Sequence, residues 1–178
     1  MNKAVFLDRD GTINEEKNYL SREEDFKFIP GTIEGLKLLR EKGFKLIVVT
    51  NQSGIGRGFV EGKQVERINK KMKEELKEEE VELDAVYVCP HTPEEGCDCR
   101  KPKNALVKIA EKEFKLDLKK SFFVGDKTID IQLGKNCNGR TILLKTGYGG
   151  SDKKFKVKPD YIAEDLRNAA EIILSEEK

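Results

Sequence analysis

The chain has 178 residues, of which 37% are apolar and 38% are charged. One compact domain over residues 1–178 is expected, because a domain of this size buries about 70% of the surface its unfolded chain exposes. The 34 basic and 33 acidic residues nearly cancel, which argues against a global field that would draw the protein to nucleic acid or a membrane.

The predicted elements alternate along the chain. Ala4-Val5-Phe6-Leu7 reads as a first strand. Ile33, Leu36, Leu38 and Leu39 form an apolar stripe that stops at Gly43, and they predict a helix. Leu46-Ile47-Val48-Val49 reads as a second strand, and Val65, Ile68, Met72 and Leu76 recur at helical spacing after it. Ala85-Val86-Tyr87-Val88 is a third strand, followed by a helix carrying Leu106, Ile109, Ala110 and Phe114. Phe122-Phe123-Val124 and Ile142-Leu143-Leu144 are further strands. The basic stretch 153–158 reads as a loop, and residues 166–174 as a closing helix.

Short, continuous, β-branched runs suit strands buried on both faces. Their alternation with helices predicts an α/β fold of three layers, a Rossmann-like parallel sheet with helices on both faces. The segments between strands are short, which leaves no room for a large cap domain. No apolar run approaches the ~18 residues that span a bilayer, and the N-terminus lacks a secretory pattern. A cytoplasmic monomer is expected.

In an open parallel sheet, ligands bind beyond the carboxyl ends of the strands. Asp8, Thr50, Cys89 and Gly125-Asp126 each follow an apolar run, so four segments deliver polar groups to one rim. Asp8 and Asp10 are two residues apart, so their side chains can share a side. A lone Asp-x-Asp-Gly also suits a helix-capping turn. Asp126 at a second strand end shifts the balance, because close carboxylates repel and a divalent cation relieves that repulsion. Magnesium suits a few carboxylates, waters and phosphate oxygens. Asp130, one helical turn on, is placed to orient that loop.

The run from Cys89 to Pro102 holds the only histidine and three of the four cysteines. Cys89, His91, Cys97 and Cys99 supply the four thiolate and imidazole ligands of a closed structural zinc site. A disulfide is disfavoured in a reducing cytosol. Cys137 lies apart and reads as a small buried residue.

Taken together, these motifs resemble the haloacid dehalogenase superfamily of phosphotransferases. The resemblance rests on Asp8-Arg9-Asp10-Gly11-Thr12, on Val49-Thr50-Asn51-Gln52, on Lys101, and on Gly125-Asp126-Lys127-Thr128-Ile129-Asp130. It implies Asp8 as the nucleophile and Asp10 as general acid and then base. It implies Thr50 and Lys101 as the grip on the phosphoryl group. Asp126 would complete a magnesium site with Asp8 and the main chain of Asp10.

The zinc loop narrows the resemblance to the D-glycero-D-manno-heptose-1,7-bisphosphate 7-phosphatases and the related histidinol-phosphate phosphatases. Asn51, Gln52 and Ser53, followed by Arg57-Gly58, are similar to the heptose branch. That branch implies a phosphorylated sugar as the small-molecule partner and a place in making activated heptose. It also implies substrate contacts at Arg100 and Lys127, and at Glu16 and Tyr19 in the stretch 16–19. A sugar bisphosphate needs a second cationic grip, which Arg100, Lys127 or Arg57 can supply. The reading from another class is a zinc-loop module that binds nucleic-acid ends. The near-neutral charge argues against it.

Overall fold

The computed structural model describes residues 1–177. Six strands form one parallel sheet: β1 (Ala4–Leu7), β2 (Lys45–Asn51), β3 (Ala85–Cys89), β4 (Phe122–Gly125), β5 (Arg140–Leu144) and β6 (Tyr161–Ala163). Their order is β3-β2-β1-β4-β5-β6, and every pairing is parallel. The expected three-layer sheet is therefore present.

Alternation within β1 explains the layers. Side chains of a strand point to opposite faces in turn. Val5 and Leu7 enter one core with Leu36, Leu39, Ile68, Met72 and Ile173. These come from helices α1 (Thr32–Glu41), α3 (Gly62–Glu78) and α6 (Leu166–Ser175). Ala4 and Phe6 enter the opposite core with Val107, Ala110 and Leu133, from α4 (Ala105–Phe114) and α5 (Thr128–Asn136). Phe6 stacks on Phe123 of β4 with ring centroids 4.7 Å apart. The short helix α2 (Ser53–Gly56) lies at the end of β2.

Four details depart from the sequence reading. Residues 85–88 of β3 are half-buried rather than buried on both faces, because β3 is an edge strand. Ile109 is 52% exposed, since α4 turns Val107 and Ala110 inward and leaves Ile109 on its outer flank. Strand β6 was not expected; it is three residues long, and its central Ile162 is exposed. Helix α5, implied in the sequence by Asp130 standing one helical turn beyond Asp126, carries too weak an apolar stripe for its extent to be read there. The basic stretch 153–158 contains no helix or strand, as expected.

The strand order reverses direction at β1. The chain moves from β1 through β2 to β3 on one side, then returns to place β4 on the other. Such a switch point opens a crevice at the carboxyl ends of the central strands. Asp8 leaves β1 there and Asp126 leaves β4 beside it.

Candidate active site

A cleft of ≈ 380 Å³ lies over this crevice, lined among others by Asp8, Asp10, Gln52, Lys101 and Lys127. Lys101 is central. Its ammonium lies 3.0 Å from Asp8 and 2.6 Å from Asp130, and all three side chains are almost fully buried. Burial works against the Lys101 charge, but Asp130 and Asp8 outweigh it and hold its pKa above the usual value. Burial alone would raise the Asp8 carboxyl. The charges of Lys101 and Lys127 reverse that, and Asp8 is held below the usual carboxylate range. Asp8 is thus ionised at neutral pH.

The main chain of Lys101 is gripped by one side chain. Asn51 accepts from the Lys101 N–H at 3.0 Å and donates to its carbonyl at 3.3 Å. Asn51, expected to meet substrate, lines the cleft, and its amide holds Lys101 in place. Thr50 is buried at the end of β2 and accepts from Gln52 Nε2 at 2.9 Å.

Asp10 sits among donors. Gln52 Nε2 reaches it at 2.7 Å and Asn14 Nδ2 at 2.9 Å. Arg9 grips it through Nη2 at 3.1 and 3.0 Å to its two oxygens. Arg9 is fully buried, and its Nη1 donates to Asn69 Oδ1 at 2.9 Å. This buried arginine was not singled out in the sequence, where a charged residue reads as solvated by default.

Asp126 is fully buried, and its Oδ2 accepts from the Tyr148 N–H at 2.8 Å. Among the described residues its Oδ1 has no hydrogen-bond partner. Burial, with the neighbouring Asp8 charge, pushes its carboxyl up to about 8. An orphaned buried carboxylate oxygen beside a second carboxylate fits a cation site. Carboxylate oxygens of Asp8, Asp126 and Asp130 lie within 4.8 Å of one another, a donor set suited to magnesium. Gly11 makes the approach possible. Its φ is +83°, and a Cβ there would lie 2.3 Å from Asp126 Oδ2. Asp130 is also raised, to about 6, by burial partly offset by Lys101.

Lys127 points into the cleft, pairs with Glu16 at 2.9 Å and lies over the Tyr148 ring at 4.7 Å. Glu16, Tyr19, Ser53 and Arg100 line the same cleft. Tyr19 packs edge-on against the exposed Phe59, with centroids 5.2 Å apart. Arg57 lies outside the cleft lining, 4.0 Å from Glu94.

The zinc expectation finds a matching cluster. Cys89, His91, Cys97 and Cys99 converge so that one donor atom from each lies within 4.8 Å of the others. His91 Nδ1 is 3.2 Å from Cys99 Sγ, and Cys89 Sγ is 3.6 Å from Cys97 Sγ. Tetrahedral bonds of ~2.3 Å from zinc to sulfur put sulfurs ~3.8 Å apart, so the set fits that ion. Burial pushes the Cys89 thiol up to about 12, and a metal ion would draw off its proton. Arg100 donates to the His91 carbonyl at 3.1 Å, which ties the cluster to the cleft. Cys137 is buried in the second core, away from this cluster.

A family model described as polynucleotide kinase 3 phosphatase matches residues 3–174. The chain belongs to this family. Within it the sequence is 47% identical over 144 residues to a D-glycero-beta-D-manno-heptose-1,7-bisphosphate 7-phosphatase of Helicobacter pylori, covering 80% of this chain and 83% of that one. It is 40% identical to the corresponding alpha-heptose enzyme of Photorhabdus laumondii, covering 84% and 86%. Its fold matches the D,D-heptose 1,7-bisphosphate phosphatase of B. bronchiseptica, solved with magnesium and phosphate. That match has a TM-score of 0.89 at 28% identity, over 99% of both chains. Both the superfamily and the branch expected from the motifs hold.

Proposed function

We propose that the protein hydrolyses the 7-phosphate of D-glycero-D-manno-heptose 1,7-bisphosphate, a step toward nucleotide-activated heptose. The observation that carries this reading is the convergence of Asp8, Asp10 and Lys101 on one polar cleft, with the buried Asp126 carboxylate close behind Asp8 and the zinc loop beside it. The names of the relatives supply the substrate.

In this reading an Asp8 oxygen attacks phosphorus in line, and the bond from phosphorus to the sugar oxygen breaks. Asp10 gives its proton to the leaving alkoxide. It then takes the proton of a water that attacks the aspartyl-phosphate, releasing inorganic phosphate and restoring Asp8. Lys101 and Thr50 hold the phosphoryl oxygens where charge develops. Asp8, Asp126 and the main chain of Asp10 would hold magnesium, which neutralises phosphoryl charge when bound. Asn51 acts by fixing Lys101. Gln52, Ser53, Glu16, Tyr19, Arg100 and Lys127 shape the substrate end of the cleft.

The same reading takes residues 1–178 as one phosphatase domain acting as a cytoplasmic monomer without nucleic acid. No helix among the described residues is long and apolar enough to cross a membrane. Phosphate release from both anomers of the heptose bisphosphate and from histidinol phosphate tests the substrate. Preference for a heptose bisphosphate is expected. Faster turnover of histidinol phosphate overturns the substrate and leaves the chemistry standing.

A further inference from the structure

We infer that Lys154 is a specificity-determining residue, an ammonium that pairs with Arg100 to grip the phosphate the enzyme does not remove. The inference rests on the bisphosphate reading above.

Three observations lead to it. The first is a second cavity of ≈ 260 Å³ that adjoins the catalytic cleft. Arg100, Lys101, Ile129 and Lys154 line both cavities, whereas Asp8 and Asp10 line only the first. Lys154 and Arg100 therefore stand on the wall of the cleft that continues away from the nucleophile. A bisphosphate with one end at Asp8 must place its other end along such a wall.

The second observation is that the loop carrying Lys154 is tied down although it has no regular structure. Gly150 N–H donates to the Asp126 carbonyl at 2.8 Å. The Asp152 carboxylate accepts from both the N–H and the hydroxyl of Thr128, at 2.8 and 2.7 Å. The Phe155 N–H donates to the Thr128 hydroxyl at 3.1 Å. The backbone on both sides of Lys154 is thus anchored to the segment that carries Asp126 and Lys127. A cation held on a fixed loop loses less entropy on binding than one on a free loop.

The third is the state of the other cations. Lys101 is committed to Asp8 and Asp130, Lys127 to Glu16, and Lys103 to Asp98. Arg100 spends Nη1 on a carbonyl of the zinc loop. Lys154 is exposed and forms no salt bridge among the described residues. It is the lysine of this wall whose charge is not already matched. A sugar phosphate remote from the reacting centre is what such a group recognises, because charge-assisted contacts are the strong ones.

The experiment measures kcat/KM for heptose 1,7-bisphosphate and for heptose 7-phosphate, which lacks the retained group. The readout is the ratio of the two. In Lys154→Ala the ratio is expected to fall about tenfold, the size of a lost charge-assisted contact, mainly through KM for the bisphosphate. Lys154→Arg is expected to restore it. Lys156→Ala, whose lysine lines neither cavity, should match the wild type. An unchanged ratio in Lys154→Ala overturns the inference, and so does an equal loss on both substrates, which marks a purely structural loop. If the wild type itself shows no preference for the bisphosphate, the substrate reading falls first and the inference falls with it.

Discussion

Asp8 has two duties: it is the proposed nucleophile and a partner of the Lys101 charge. Asp8→Asn removes the attacking oxyanion but keeps the shape, and Asp130 still pairs with Lys101 at 2.6 Å. Phosphate release is therefore expected to vanish while the thermal midpoint stays within a few degrees of wild type. Near-normal turnover would remove Asp8 from the role. Arg9 presents the opposite case. It does not line the cleft itself, yet its buried guanidinium holds Asp10, which does, and Asn69. Arg9→Met leaves Asp10 without its charge partner, which should cost about 3 kcal/mol of stability, as for other broken buried pairs. Arg9→Lys should rescue little, because one ammonium cannot reproduce the fork of contacts. Urea unfolding of both variants checks this. A motif reveals Asp8 and Asp10 because their chemistry needs carboxylates at that spacing. It does not reveal that the arginine between them is structural, since only the burial around it distinguishes that role from a surface charge. Asn51 shows the same limit: the motif points it at substrate, and only the structure shows that its amide also holds the Lys101 main chain.

At the scale of elements, the expected strands were legible from their apolar runs, β6 was not, and α5 showed only as the helical turn that carries Asp130. Strand β6 is a three-residue edge with Ile162 exposed, so it has no apolar run to see. Helix α5 is held by close approach rather than by a stripe. A Cβ on its Gly134 would lie 2.4 Å from Thr141 Cγ2 and 2.8 Å from Phe123 Cβ. Gly134→Ala should push α5 off β4 and β5. Overpacking of this kind costs about 1–3 kcal/mol. Because Asp130 rides on α5 and pairs with Lys101, activity should fall as well. A variant as stable and as active as wild type would show that α5 accommodates the methyl. The zinc loop makes a separable prediction. Removing the ion, or Cys99→Ser, frees the loop that carries Arg100. Lys101 is still held by Asn51 and Asp130. Zinc loss should therefore raise KM more than it lowers kcat, and metal analysis should find about one zinc per chain in the untreated protein. Cys137→Ser should keep its zinc, because Cys137 lies in the other core.

For the whole molecule, the question is which phosphate ester reaches the cleft. The family model carries a polynucleotide name, and an exposed aromatic pair, Tyr19 and Phe59, packs beside Gly54. Bases stack on such pairs, but binding a strand also needs a basic track along its backbone. Here 34 basic residues face 33 acidic ones, and the cleft's own cations are largely paired. Among the described residues, one unpaired lysine on the wall of a sugar-sized cleft suits a single further phosphate more than a polyanionic strand. Binding of a 3′-phosphorylated oligonucleotide should therefore be weak, with a log–log salt slope shallower than about −2, the signature of only one or two phosphate contacts. Hydrolysis of its terminal phosphate should be about 100-fold less efficient than that of heptose bisphosphate, a gap of about 2.7 kcal/mol in transition-state binding. A steep salt slope with efficient 3′-phosphate removal would reverse the assignment. It would make Tyr19 and Phe59 a base-stacking platform, and Lys154 the first contact of a nucleic-acid track.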